Sequence, residues 1–339
     1  YYYEGFDASR QNFLYEDPNF RYLSFGTENQ LNSGSANEWA LNSYFGQLKY
    51  DYDQKYLFTA TVRRDGTSKL ANNNWGTFPA FSAGWRLDRE DFFDFGDSFS
   101  SFLIRGSWGQ TGNQQVPSYS TVDSYRNNNA NSDYGIGGGQ NNVGTGLTQT
   151  RVANADLEWE TSTQTTFGVD LGFFNNKLQV TAEYFDKKTE NILVYNIIPL
   201  TYGGTNDGQW INDGEMKNHG FELDLSYADK QGDFGYNLAL NVTAYKNELS
   251  QLNSVSYLGI PSSSLHSVNF DQEVSRSAVG QSIGSFYGHV ASGIFQSEQE
   301  VLDYGLQPNA QPGDLRFEDV NGDGVVDSDD RTFIGSPHP

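Results

Sequence analysis

Residues 163–184 read TQTTFGVDLGFFNNKLQVTAEY, and this stretch decides the fold. Thr165, Phe167, Val169, Leu171 and Phe173 occupy every second position, and polar side chains or glycines lie between them. Asn175 and Asn176 interrupt the pattern, which then resumes from Leu178 to Tyr184. A period of two is typical of a β-strand with two different faces, and asparagine tolerates the backbone of a tight turn. The stretch therefore predicts an antiparallel hairpin.

The same alternation recurs along the chain. It is found in residues 42–50, 55–63, 81–87, 102–109, 221–227 and 236–245. Short polar turns alternate with long loops rich in Gly, Asn and Ser, the longest spanning about residues 113–154. Short turns at one end and long loops at the other are typical of outer-membrane β-barrels. A soluble β-sandwich also alternates, so periodicity alone leaves a membrane barrel and a large soluble β-domain open.

Composition narrows the classes of function. The chain has 339 residues and a formal net charge of −22, and this negative field disfavours nucleic acid as a partner. The absence of cysteine excludes disulfides and thiolate metal sites. Aromatic residues make up 15% of the chain, which argues against disorder throughout. No apolar run is long enough for a transmembrane helix, whereas barrel strands need no such run.

Residues 319–330, DVNGDGVVDSDD, have the spacing of an EF-hand calcium loop. Oxygen side chains alternate at the start, Gly324 provides the sharp turn, and position twelve is Asp330 rather than the usual Glu. The motif predicts a structural Ca²⁺ site, although a solvated Asn/Asp/Gly turn is the alternative. The predicted ligands are the side chains of Asp319, Asn321, Asp323, Asp327 and Asp330 and the carbonyl of Val325.

No catalytic set emerges from the sequence. Acidic pairs are too numerous in this chain to single out a glycosidase pair. The triplet at 137–139 is not a phosphate loop, because no Lys-Ser/Thr follows it. The one helical signal is Ser297 to Gly305, with a serine cap and a glycine stop. We therefore do not expect an enzyme.

Six stretches, taken together and in order, resemble one family. They are residues 63–87 (RRDGTSKLANNNWGTFPAFSAGWRL), 103–114 (LIRGSWGQTGNQ), 154–193 (beginning NADLEWE), 214–227 (GEMKNHGFELDLSY), 283–296 (IGSFYGHVASGIFQ) and 312–339 (beginning PGDLRFEDVNGDG). The family is that of the SusC/RagA-like TonB-dependent transporters of Bacteroidetes outer membranes. Its members are much longer, so the chain resembles a central part of the barrel wall.

The resemblance implies an all-β fold, an antiparallel transmembrane β-barrel of the type with about 22 strands, present here in part. It implies an extracellular loop at residues 1–40 and barrel strands with loops at 41–295. Residues 296–339 would form an extracellular segment with a short helix and the calcium-loop motif.

The resemblance also implies a function. Such proteins import glycan oligosaccharides or peptides through the outer membrane of Gram-negative bacteria, with a SusD-like surface lipoprotein and with energy from TonB. The substrate is open at this point. The alternatives are a secreted β-rich glycan-binding module and a glycoside hydrolase, each with a structural calcium.

The alternation assigns side chains to two faces of the sheet. The lipid-facing set is predicted to be Tyr56, Phe58, Val62, Phe167, Val169, Leu171, Leu223 and Leu225. The lumen-facing set is predicted to be Gln47, Thr59, Gln164, Asp170 and Glu183. Interfacial girdles would include Tyr44, Tyr56, Trp85, Trp108 and Tyr184, with ordinary core packing as the alternative. Tyr202 and Trp210 are candidates for stacking on sugars or for packing within the loops. Four arginines at polar-face or strand-end positions are candidates either for lining a water-filled path or holding a plug, or for ion pairs with Asp and Glu in the lumen: Arg63, Arg64, Arg86 and Arg105.

Overall fold

The computed structural model describes residues 2–13, 26–93, 96, 98–126, 134–135, 143–144, 146–196, 198, 208–254, 257–259 and 273–337. Antiparallel strands dominate these residues. In chain order the strands are β1 (Tyr2–Phe13), β2 (Gly26–Glu38), β3 (Leu41–Tyr52), β4 (Tyr56–Thr67), β5 (Trp75–Arg86), β6 (Phe99–Asn113), β7 (Ser124–Arg126), β8 (Tyr134–Gly135), β9 (Val143–Gly144), β10 (Thr148–Arg151), β11 (Glu160–Phe173), β12 (Leu178–Glu190), β13 (Leu193–Asn196), β14 (Gln209–Asn212), β15 (Glu215–Gln231), β16 (Phe234–Gln251), β17 (Tyr257–Gly259), β18 (Ser275–Ala278), β19 (Ser285–Gly288), β20 (Ala291–Ile294), β21 (Leu315–Phe317) and β22 (Thr332–Gly335).

Eight long strands form the largest sheet, in the order β16-β15-β12-β11-β6-β5-β4-β3, and every neighbouring pair is antiparallel. Residues 53–55, 87–98, 174–177 and 232–233 connect the strands at one end, which we call the turn end. Residues 68–74 and the longer connections after β6, β12 and β16 leave the other end, which we call the loop end. Asn175 and Asn176 have φ of +57° and +60°, the left-handed backbone that a tight turn requires.

Cross-strand pairing separates the side chains into an apolar face and a polar face. One row of the ladder joins Phe102, Leu171, Val180, Leu225 and Leu240. Another row joins Gln47, Thr61, Ala80, Gly109, Gln164, Lys187, Asn218 and Asn247. The two sets predicted from the alternation lie on opposite faces, so their predicted separation is confirmed, and the assignment of the faces to lipid and lumen stays a prediction.

Aromatic side chains gather on the apolar face. The rings of Tyr44 and Trp75 stack at 6.1 Å, those of Tyr56 and Trp85 at 6.4 Å, and those of Phe81 and Trp108 at 6.0 Å. The predicted girdle residues Tyr44, Tyr56, Trp85, Trp108 and Tyr184 all occupy this face.

Some of these rings also have polar partners near the turn end. The Tyr56 hydroxyl and the Trp85 indole N–H donate to Glu90 at 2.6 and 2.9 Å. An apolar ring whose polar tip finds a partner is what an interface between lipid and water favours.

The residues before the large sheet form a hairpin. The sequence suggested an extracellular loop for residues 1–40. Within that segment β1 and β2 pair with each other in a separate two-stranded sheet, and the side of the membrane on which it lies stays a prediction. The sequence of β1, YYEGFDASRQNF, does not alternate cleanly, which explains why the strand was not predicted.

A small core lies at the loop end of the large sheet. Leu70, Phe78, Val116, Leu157 and Trp159 are all buried and in mutual contact, and Leu193 and Trp210 pack against them. Phe78 is the only strand residue of the five, and loops supply the others.

Beyond the pair Ala80–Gly109, β5 and β6 no longer pair, and the Phe78 ring occupies the space where a Cβ on Gly112 would be.

Trp210, a candidate for stacking on sugars, instead packs beside this core, and its ring centre lies 5.7 Å from that of Tyr195. The alternative interpretation of Trp210, packing within the loops, describes what is observed. Tyr202 lies outside the described residues.

The large sheet ends at Gln251, and shorter strands follow within the region 41–295 predicted to hold barrel strands with loops, whose bounds stay a prediction. After it, β17 to β22 form smaller sheets, each strand having three or four residues. A strand needs about 9–11 residues to cross a bilayer, so these strands are too short to do so.

The predicted helix is confirmed as α1 (Glu298–Tyr304), between the Ser297 cap and Gly305 at φ +69°. Within the described ranges, no helix has both the length and the apolarity to cross a bilayer.

Candidate functional site

The polar face carries an ion network built from three neighbouring strands. Arg105 of β6 donates through Nε to Asp170 of β11 at 2.9 Å and through Nη2 to Glu183 of β12 at 2.6 Å. Thr181 donates to the other oxygen of Asp170 at 2.9 Å. These side chains are partly exposed, and one guanidinium faces two carboxylates. The network therefore holds an excess of negative charge on a water-accessible wall, and the predicted ion pairing of Arg105 is confirmed.

Gly168 makes room for this network. A Cβ at that position would lie 2.9 Å from Cζ of Arg105, so the guanidinium lies flat against the backbone of β11. A glycine inside a strand often marks such a close approach. The arrangement orders a charged surface for polar contacts.

The other predicted arginines lie toward the strand ends. Arg63 pairs with Asp65 at 2.8 Å, and Arg86 pairs with Asp88 at 2.7 Å. Arg64 lies on the apolar face near the loop end, with its guanidinium 5.3 Å from the Trp75 ring centre. A cation over an aromatic ring at this end is a favourable position for a side chain that reaches from lipid toward water.

The predicted calcium segment folds as one closed turn. Asp319 accepts from the N–H groups of Gly322 at 2.6 Å and Gly324 at 2.9 Å. Asn321 accepts from the Asp323 N–H at 2.9 Å, and Asp323 accepts from the Val325 N–H at 3.0 Å. The backbone of Gly324, the sixth position of the motif, has φ +89°, the left-handed region that glycine adopts freely.

Asp330 closes the turn from its far end. Its side chain is fully buried and accepts from the N–H groups of Val320 at 2.8 Å, Asn321 at 3.2 Å and Asp327 at 2.8 Å. These bonds, that from Asp327 first, lower the pKa of the Asp330 carboxyl below its ordinary value. Asp327 caps the short 3₁₀ turn Ser328–Asp330 by accepting from the Asp329 N–H.

Asp330 is the least available of the predicted calcium ligands, because its two oxygens already accept three N–H groups. The oxygens of Asp319 accept one each, and a carboxylate has about four lone-pair sites. In the part of the chain that the structure describes, no three Asp, Glu, His or Cys side chains converge as metal ligands do. The calcium site therefore stays a prediction.

The family sequence model described as "TonB dependent receptor-like, beta-barrel" matches residues 1–326. The chain belongs to the TonB-dependent receptor family. TonB-dependent receptor P3 of Formosa agariphila is 32% identical over 339 residues, covering 99% of this chain and 33% of the relative. TonB-dependent receptor SusC of Bacteroides thetaiotaomicron is 29% identical over 303 residues, covering 88% of this chain and 28% of SusC.

Solved structures agree on the fold. The structure of the RagAB peptide transporter superposes with a TM-score of 0.77 at 23% sequence identity, covering all of this chain and 35% of that one. The chain thus spans about a third of the length of the relatives it matches. The predicted SusC/RagA-like membership and the partial barrel fold are confirmed. Members of the family are outer-membrane proteins of Gram-negative bacteria and are not enzymes, as the sequence led us to expect.

Proposed function

We propose that this TonB-dependent receptor chain forms part of the wall and the loops of an importer that moves oligomeric nutrients across the outer membrane. The observation that supports this most is the eight-stranded sheet with one apolar and one polar face, in a chain of this family. The apolar face would contact lipid and the polar face would line a watery path. The mechanism is binding and gated passage, without any change in the substrate's bonds.

The whole importer would work with partners at both ends of the barrel. We place the loop end outside the cell, where a SusD-like lipoprotein would cover the mouth. TonB would act from the turn end through regions that longer members of the family possess. The substrate would be a glycan oligosaccharide or a peptide. The RagAB neighbour is described as a peptide transporter, so peptides should be tested as substrates alongside glycans.

The turn at 319–330 would hold one structural Ca²⁺. The proposal rests on the EF-hand spacing, on Gly324 at the sixth position and on the gathering of Asp319, Asn321 and Asp323 within one turn. Asp327 and the Val325 carbonyl would complete the shell, and Asp330 would contribute mainly by ordering the turn. Calcium offsets the repulsion between these carboxylates and would fix the shape of the turn.

Uptake in cells tests the transport proposal. A strain that lacks the complete gene should fail to accumulate one class of labelled oligomer, and the intact gene should restore uptake. Restoration should disappear when TonB is deleted, because the energy comes through TonB. Uptake that persists without the gene or without TonB contradicts the proposal.

Surface labelling tests the orientation. A tag inserted near Gly138, which lies outside the described residues, should be labelled on intact cells. A tag in the 53–55 turn should be labelled only after the outer membrane is opened. The reverse pattern would place the loop end in the periplasm.

A further inference from the structure

A groove opens at the loop end, between the base of the β1–β2 hairpin and two loops. Its volume is about 510 Å³, and Tyr2, Glu38, Trp39, Lys69 and Tyr119 contribute to its lining. Trp39 precedes β3, and Tyr119 follows β6, so both lie at the end opposite the short turns. The sequence offered no signal for this groove, because its walls come from segments about 80 residues apart along the chain.

Aromatic rings form much of the lining. Tyr2 and Tyr119 are 62% and 45% exposed. The Lys69 ammonium lies 5.2 Å from the Trp39 ring centre and donates to the carbonyl of Val116 at 2.9 Å. The one lysine of the groove is therefore engaged by a ring and a carbonyl. The groove also offers the exposed rings of Tyr2 and Tyr119, tyrosine hydroxyls and the carboxylate of Glu38.

Tyr119 is held in a conformation that its residue type disfavours. Its φ is +65°, in the left-handed region, where a tyrosine is strained and a glycine is not. Three contacts hold it there. The Tyr119 hydroxyl accepts from the Glu38 N–H at 3.3 Å, and its carbonyl accepts from Arg151 at 3.0 Å and from the Val122 N–H at 3.1 Å. Strain of this kind is concentrated at ligand sites, and here it keeps a ring where glycine would fit the backbone better.

We infer that this groove binds a segment of a neutral oligosaccharide, with sugar rings stacked on Trp39 and Tyr119. The C–H faces of a sugar ring are apolar and pack on aromatic faces, while its hydroxyls need acceptors such as Glu38 and the tyrosine oxygens. A strongly anionic glycan is disfavoured by the net charge of −22 and by the engagement of Lys69. The inference rests on the proposed function, because it assigns the substrate class of that same importer.

Binding to the purified full-length receptor tests the inference. The probes are neutral oligosaccharides of three to six glucose, galactose, mannose or xylose units, and tri- to hexapeptides of mixed sequence. Calorimetric titration should show binding of at least one oligosaccharide. Trp39→Ala and Tyr119→Gly should each raise its Kd about tenfold or more, the equivalent of losing one stacked ring. Tyr125→Ala, which removes an exposed ring outside the groove, should leave the Kd within about twofold.

Two variants separate the ring from its structural role. Tyr119→Gly relieves the backbone strain, so the protein should keep its melting temperature while losing affinity. Trp39→Phe retains a stacking face and should recover most of the affinity that Trp39→Ala loses. If no oligosaccharide of the panel binds, if the variants bind as tightly as the parent, or if only peptides bind and the same variants weaken them, the inference is overturned.

Uptake by cells keeps this result separate from the transport proposal. TonB-dependent uptake that is unchanged in Trp39→Ala and Tyr119→Gly would overturn the groove assignment and leave the importer intact. Uptake that is independent of TonB would contradict the importer itself, whatever the groove binds.

Discussion

Arginine substitutions at different depths test whether the apolar face contacts lipid. Val169 and Leu171 of β11 both lie on that face, and the aromatic pair Phe99–Phe173, with ring centres 4.6 Å apart, marks the turn end. Leu171 is two residues from Phe173, about 7 Å along the strand, and Val169 is four residues away, about 14 Å. With strands tilted by about 40°, these distances correspond to about 5 Å and 10 Å along the membrane normal.

The depth of each residue in the membrane determines how much an arginine there should lower the free energy of unfolding. The apolar band of an outer-membrane barrel is about 25 Å tall, so Val169 lies near its middle and Leu171 lies closer to one edge. Arginine costs about 2–4 kcal/mol at the midplane and about 0–1 kcal/mol near an interface. Val169→Arg should therefore cost about 3 kcal/mol and Leu171→Arg about 1–2 kcal/mol.

Gln179→Arg is the matched control. Gln179 of β12 pairs with Gly172, which lies between Leu171 and the turn end. Unlike Val169 and Leu171, Gln179 has its exposed side chain on the polar face. The control should change the unfolding free energy by less than about 0.5 kcal/mol. The full-length receptor would be unfolded by guanidinium titration in lipid vesicles, with intrinsic fluorescence as the signal. Equal costs on the two faces, or a Leu171 variant less stable than the Val169 variant, would refute the assignment of this face to lipid.

Three further predictions concern the loop end and the acidic turn. Asp323→Ala should abolish binding of one Ca²⁺ measured by calorimetry on the full-length receptor, with insertion into the membrane unchanged; unchanged binding would remove the site. Gly112→Ala should lower the melting temperature, because the added Cβ meets the Phe78 ring, whereas Gly46→Ala, where no atom lies within 4 Å, should not. The folded-state pKa of Asp330 lies below its ordinary 3.8, so its contribution to stability is full above pH 3.8 and is lost as the pH falls through the lower value. Hydrogen-exchange protection of the Val320 and Asn321 amides, measured without calcium, should fall as the pH drops below the lowered pKa of Asp330. In Asp330→Asn this pH-dependent loss of protection should be absent.

The strands were predictable because their pattern is local. In β11 and β12 each side chain's face follows from its position within the strand, so Leu171 and Gln164 could be assigned from the sequence alone. The loop-end core was not predictable. Leu70, Val116 and Leu157 come from three separate loops, and nothing in their local sequence indicates that they meet. The hairpin β1–β2 was missed for a different reason, because its strands pair with each other and lack a continuous apolar face.

The polar face of the large sheet is open along most of β4 and is buried at the loop end. Through most of β4 the polar-face positions remain at least partly open, as Thr59 and Thr61 do, but burial begins at Asp65 and continues through Thr67. On β5, Gly76 pairs with Asp65 and Phe78 pairs with Arg63. The Phe78 ring lies in the loop-end core. The loops therefore pack against this end of the wall and contribute their own apolar contacts there.

This division has a consequence for how substitutions act. Stability in the membrane depends on the apolar face, whose rows are set by strand pairing, and the loop-end groove shares no side chain with that face. Sites far apart with no common partner contribute almost additively to stability. Changes at Trp39 or Tyr119 should therefore alter ligand binding while leaving the Val169 series unchanged. A strong coupling between the two in a double-mutant cycle would show that the loops and the wall fold as one unit.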